Sequence, residues 1–144
     1  MDARAYFEQV RRAALRLEQV QRLIESGGDD WRPTQGSTSR IANDPTGSAA
    51  LRHMRAVESL HIERETLSVE LMEARALVTG IGEGLGIPYR LVLENYYVLH
   101  LSWEQVSEVC RMPLRTCYLH RDTAFDWVDS VGFAHAKEGT GTAM

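Results

Sequence analysis

Between Ala3 and Ile24, and again between His53 and Val78, apolar residues return at steps of three and four. No window of the chain sustains the alternation of a half-buried strand. That spacing selects helices. Ala3, Phe7, Val10, Ala14, Leu17, Gln21 and Ile24 line one face of a helix predicted over 3–25, which Gly27 and Gly28 are expected to stop. A second helix is predicted from Ser48, a suitable N-cap, towards Thr79. Val57, Leu60, Leu67, Leu71, Ala74 and Val78 form its seam, with His53 one heptad earlier and Arg64 intruding. The two seams pair as an antiparallel hairpin or, between subunits, as a coiled coil; a polar seam residue such as Arg64 helps fix register in either case. Self-association into a homo-oligomer is expected.

Glycine and proline mark the remaining boundaries. The run "GGDDWRPTQGSTSRIANDPTGS" has no periodicity and is predicted to be a long loop, with Trp31 read first as an anchor packed against the core and second as a contact to a partner. "GIGEGLGIP" holds four glycines in nine residues. It lacks the Lys-Ser/Thr of a phosphate-binding loop and no strand precedes it, so it is predicted to be a hinge. Pro88 then opens a third helix with Leu91, Val92, Tyr96 and Leu99 on its inner face, and Ser102 caps a fourth. That short helix buries Trp103, Val106 and Cys110. After a turn at Arg111 and Met112, Pro113 starts a helix to about Ser130 that buries Cys117, Ala124, Phe125 and Val128. A tail follows Phe133 and is expected to fray. The fold class is all-α. A helix–loop–helix stalk (1–80), a glycine-rich hinge (81–87), a tri-helical helix-turn-helix head (88–132) and a flexible tail (133–144) are expected.

Composition narrows the function. A net charge of -4 and a pI near 5.7 give no global basic field for nucleic acid or anionic membrane. The N-terminus is amphipathic and charged, unlike a signal peptide, and no apolar run is long enough to span a membrane. Two cysteines, Cys110 and Cys117, make no disulfide framework. The expectation is a reduced, cytoplasmic protein. Cys110, Cys117, His120 and His100 lie near one another in sequence, but both cysteines fall at buried helical positions and no C-x-x-C pair is present, so no metal site is expected. Five scattered histidines and carboxylates such as Glu63 and Glu70, set among balancing arginines, make no catalytic constellation. No cofactor is expected, and no enzyme.

The stretch "LSWEQVSEVCRMPLRTCYLHRDTAFDW" has the rhythm of two helices crossing over a tight turn, the second placed to lie in a major groove. Residues 88–128 resemble region four of sigma factors. They are more closely similar to phage late-transcription regulators of the ArpU and RinA type. Arg90, Val92, Leu93, Tyr97, Ser102, Trp103 and Val106 match the first half of that family's run, and Thr116, Tyr118 and Ala124 the second. Three positions depart from it: Ser107 stands where a small Ala is usual, Arg111 where the turn has Gly, and Pro113 where Ser caps the recognition helix. The resemblance implies a phage or prophage regulator of late genes in the host bacterial cytoplasm. Double-stranded DNA and host RNA polymerase are its implied partners. Arg115 would contact base or phosphate, Tyr118 and Leu119 base edges or thymine methyls, and Thr116 and Arg121 the backbone.

Charge pulls the other way. Between Leu101 and Gly132, Glu104, Glu108, Asp122, Asp126 and Asp129 oppose only Arg111, Arg115 and Arg121. Duplex affinity rests heavily on neutralised phosphates. The alternative is therefore a phage protein–protein adaptor, or a small assembly or packaging subunit, whose head does not bind DNA. Arg4, Arg11, Arg12, Arg16 and Arg22 of the first helix are read as a solvated face balanced by Glu, with phosphate contact as their second use.

Overall fold

The computed structural model describes residues 1–30 and 46–139. Every regular element among them is helical: α1 (Ala3–Asp30), α2 (Thr46–Leu85), α3 (Ile87–Leu93), a π-helical segment (Glu94–Val98), α4 (Trp103–Cys110), α5 (Leu114–Val131) and α6 (Phe133–Glu138). Trp31 and most of the predicted loop lie outside the described residues. The chain divides into two compact units. One takes residues 1–15 together with the chain from Val69 onward, and the other is Arg16–Ser68.

In the first unit the start of α1 is fixed from both sides. The Asp2 carboxylate accepts the Ala5 N–H at 2.8 Å, as an N-cap does, and Asp129 of α5 accepts the Ala3 N–H at 2.8 Å. Two otherwise unpaired helix-terminal donors are thereby satisfied. The predicted face of α1 then enters the core, with Ala3, Phe7 and Val10 buried beside Leu77, Ile81, Leu93, Tyr97, Phe125 and Val128. Phe7 stacks on Phe125 with ring centres 5.5 Å apart and meets Tyr97 at 5.4 Å. Removing a ring so enclosed costs about 3–5 kcal/mol. A second cluster of Val92, Val106 and Cys117 joins α3, α4 and α5.

The glycines behave differently from the sequence expectation. Gly27 and Gly28 do not stop α1, which runs on to Asp30. Each glycine inside a helix costs only about 1 kcal/mol relative to Ala, which does not by itself end one. Of the residues predicted as a hinge, 81–85 are helical and belong to α2, which runs to Leu85. Gly80 instead lies directly against α6, where an added Cβ would come 2.0 Å from the Ala136 carbonyl oxygen. The chain breaks at Gly86, whose φ of 126° disfavours any side chain. The expected boundary between a 1–80 stalk and an 88–132 head is corrected accordingly, because α1 and the end of α2 share the core of α3–α6. The tail is also more ordered than expected over 133–138, where α6 buries Ala136 and ends on left-handed Gly139.

The inner face of the third helix shifts as well. Leu91 and Leu99 are exposed, while Val92, Leu93, Asn95, Tyr97 and Val98 are buried. From Glu94 onward the π-helical turn accounts for the change: Leu99 N–H reaches back five residues to the Glu94 carbonyl at 2.9 Å, rotating the buried face of the residues that follow. Buried Asn95 donates to the Leu91 carbonyl at 2.7 Å.

In the second unit, Arg16 of α1 grips Glu63 of α2 through two hydrogen bonds of 2.6 and 2.9 Å. The Arg16 hydrogen bond holds the Glu63 carboxyl below the usual carboxylate range. Both side chains are substantially exposed, so the pair contributes alignment more than stability. Leu17, Val57, Leu60 and Leu67 of this unit are half-buried, as their seam positions predict, but on α1 Val20 is buried and the predicted Gln21 is exposed.

Candidate nucleic-acid interface

Helix α4 starts on a capping box, in which Ser102 Oγ accepts the Gln105 N–H at 3.2 Å and Gln105 Oε1 accepts the Ser102 N–H at 2.9 Å. It ends at Arg111, which takes the left-handed conformation (φ 55°, ψ 47°) that favours glycine at a helix C-terminus. Arg111 N–H bonds the Glu108 carbonyl and Met112 N–H the Ser107 carbonyl, satisfying the last turn of α4. Ser107 has a use that an alanine there would lack. Its hydroxyl donates to the Met112 carbonyl at 2.6 Å and ties the turn closed. Pro113 is the N-cap of α5 rather than its first residue, with extended backbone and no side-chain cap.

The buried face of α5 is Cys117, Ala124, Phe125 and Val128, the four residues read from the sequence. On α4 only Val106 is fully buried; Trp103 and Cys110 are half-buried. Opposite the α5 core face, Arg115, Tyr118 and Leu119 are exposed, Leu119 by 58%. Arg115 makes no ion pair among the described residues. These three predicted contacts share one surface. Thr116 is half-buried to its side. Arg121 is placed otherwise: its side chain is only 19% exposed, and its Nε donates to Asp122 Oδ1 at 2.8 Å. Its guanidinium lies 5.1 Å from the Tyr118 ring centre and 5.4 Å from that of Trp103.

A layered arrangement that the sequence did not disclose supports this face. The Trp103 and Tyr96 rings stack 3.9 Å apart and 14° from parallel, and the Arg11 guanidinium covers Tyr96 at 3.9 Å. Tyr118 meets Trp103 edge-on at 5.1 Å. Arg11 also donates to the carbonyls of Tyr96, inside the π-helical segment, and Leu101, three residues beyond it. Arg11 stands one residue beyond Val10 of the apolar seam, and the periodicity alone reads it as surface. Arg4, two turns earlier, donates to Asp122 at 3.1 Å. The Arg121 hydrogen bond, seconded by Arg4, holds the Asp122 carboxyl below its ordinary range.

Cys117 is buried, Cys110 is half-buried, and burial pushes both thiols up, away from thiolate chemistry. His120 stacks on Tyr89 at 4.5 Å. Among the described residues no group of three His, Cys, Asp or Glu side chains is disposed to hold a metal ion. No described helix is long and apolar enough to cross a membrane. Compared with protein-family models, curated proteins and solved structures, the chain matches none.

Proposed function

We propose that this chain is a DNA-binding transcriptional regulator of the phage late-gene kind that residues 88–128 resemble. In this reading α4 and α5 are a helix-turn-helix whose second helix enters the major groove. One observation carries it. A left-handed residue lies between the short α4 and the longer α5, which turns Arg115, Tyr118 and Leu119 outward while Arg115 has no counter-ion among the described residues. Arg115 is then the base or phosphate contact, Tyr118 and Leu119 lie against base edges, and Thr116 sits beside the backbone. Arg121 braces Trp103 and Tyr118 from within. Host RNA polymerase is the partner this reading implies.

The acidic balance of the 101–132 region is partly offset in place. Arg4 of α1 brings one further positive charge to Asp122, which Arg121 also engages, and Asp129 accepts the Ala3 N–H at the positive end of the α1 dipole. The adaptor reading keeps one observation of its own, the exposed Val109 (60%) and Leu119 (58%), which also suit a protein surface. Repeated selection from a random-sequence duplex pool, followed by mobility shifts across a salt series, tests the proposal. Enrichment of one sequence that Arg115→Ala ceases to prefer supports it. No shift with any duplex at low salt leaves the adaptor.

A further inference from the structure

A solvent-open cleft of about 270 Å³ lies beside the α5 face, between the first half of α1 and the segment from Tyr96 to Trp103. Arg4, Arg11, Arg12 and Arg121 line it, against a single acid, Glu8. Four guanidiniums against two carboxylates, the lining Glu8 and the Asp122 that Arg4 and Arg121 share, leave a local excess of positive charge in a chain of net charge -4. Arg11 is committed to backbone carbonyls, and it positions the Tyr96–Trp103 wall. Arg4 and Arg121 share one oxygen of Asp122, a single bond apiece from side chains that each carry five N–H donors. Arg12 is exposed and has no ion pair among the described residues. The cleft therefore offers unused donors on two helices, already partly gathered by an internal carboxylate.

We propose that this cleft seats a phosphate group, held by Arg12, Arg4 and Arg121, and that the phosphate belongs to the backbone of a duplex lying on α5. Guanidinium donors arriving from α1 on one side and α5 on the other suit a tetrahedral anion with oxygens on several sides better than a planar carboxylate. Continuity gives the source. Tyr118 of the exposed α5 face touches Trp103, and Arg121 lies over both rings, so the cleft opens directly beside that face. Only the source rests on the DNA reading; the seat does not. Asp122 acts as an internal competitor, occupying with its carboxylate the donors that the phosphate takes.

The test follows the arginine Nε–H signals of the full chain by NMR while inorganic phosphate, and separately a short duplex, is added. Phosphate is expected to move the Arg4, Arg12 and Arg121 signals and leave that of Arg115 in place. Asp122→Asn is expected to tighten phosphate binding. Arg12→Gln, at an exposed position, is expected to weaken duplex binding roughly threefold to tenfold for all sequences and lower the log K–log salt slope by about 0.9. If neither phosphate nor duplex moves the three signals, the seat is refuted. If the duplex binds, phosphate moves the signals and Arg12→Gln leaves the slope unchanged, the seat serves free phosphate and its assignment to the DNA backbone is wrong. If phosphate moves them but no duplex binds at low salt, the seat stands with a free phosphate, and the DNA-regulator reading falls instead.

Discussion

Gly80 of α2 lies against the backbone of Ala136 in α6, so closely that a Cβ on Gly80 would meet the Ala136 oxygen at 2.0 Å and the Lys137 oxygen at 2.5 Å. Both obstacles are main chain, which no rotamer change can clear. Gly80→Ala gains about 1 kcal/mol of helix propensity and loses more by forcing α6 away. A net destabilisation of about 2 kcal/mol is expected in urea denaturation. In a chain ending at Gly132 the same substitution should become neutral or stabilising, and an equal loss in both backgrounds would remove α6 from the explanation.

Arg111 holds a left-handed backbone with its side chain exposed. A Cβ in that conformation costs about 1 kcal/mol, and glycine restores part of it after its greater freedom in the unfolded chain is counted. Arg111→Gly should raise stability by about 0.5 kcal/mol, read as a shifted denaturation midpoint with an unchanged slope. A loss of stability would mean that the Arg111 side chain makes a contact in solution that outweighs this backbone strain.

Arg115 has neither burial nor an ion partner among the described residues, so Arg115→Ala should alter stability by less than about 0.5 kcal/mol. Specific duplex binding should weaken by about 1–3 kcal/mol, with preference blurred at one position. Unfolding by this substitution, with binding per folded molecule intact, would sink the reading of α5 as a recognition helix.

Asp122 predicts an acid-side effect. Its folded-state pKa lies below the ordinary value of 3.8, chiefly through the Arg121 hydrogen bond. The unfolded chain thus binds the proton more readily, so the pair's stabilisation is present above that ordinary value and is lost as pH falls through the depressed one. Asp122→Asn should melt below the wild type at neutral pH, and the two melting curves should converge in strong acid. A gap that persists there would assign the loss to packing rather than to charge.

Within the Arg16–Ser68 unit, Leu51 (46%), Met54 (63%) and Ile62 (59%) are exposed on α2 at spacings that share one helix face. The seam residues Val57, Leu60 and Leu67 lie on another, more buried side. Light scattering should report a dimer or larger species, and Ile62→Lys should shift it towards monomer with helix content retained. A monomer at every concentration would remove self-association from the reading.

Local pattern was enough for much of this protein. The buried set Cys117, Ala124, Phe125 and Val128, the Ser102 cap and the turn at Arg111 follow from interactions among residues close in sequence, where helical period and capping chemistry act directly. The π-helical register after Glu94 did not follow, because one widened turn rotates a face without changing which residues are apolar. Neither did the partition of the chain, since the Ala3–Asp129 bond joins residues 126 apart and no local periodicity reports such a contact. Gly80 and Gly86 are identical in sequence, yet one admits the α6 backbone and the other takes a positive φ; what lies opposite each decides which. The same holds for Arg115 and Arg121, both on α5. Sequence made both cationic, but only tertiary contact with Asp122, Trp103 and Tyr118 drew Arg121 to the side of the cleft and left Arg115 outward, because the surface an arginine serves depends on the partners folding brings within reach.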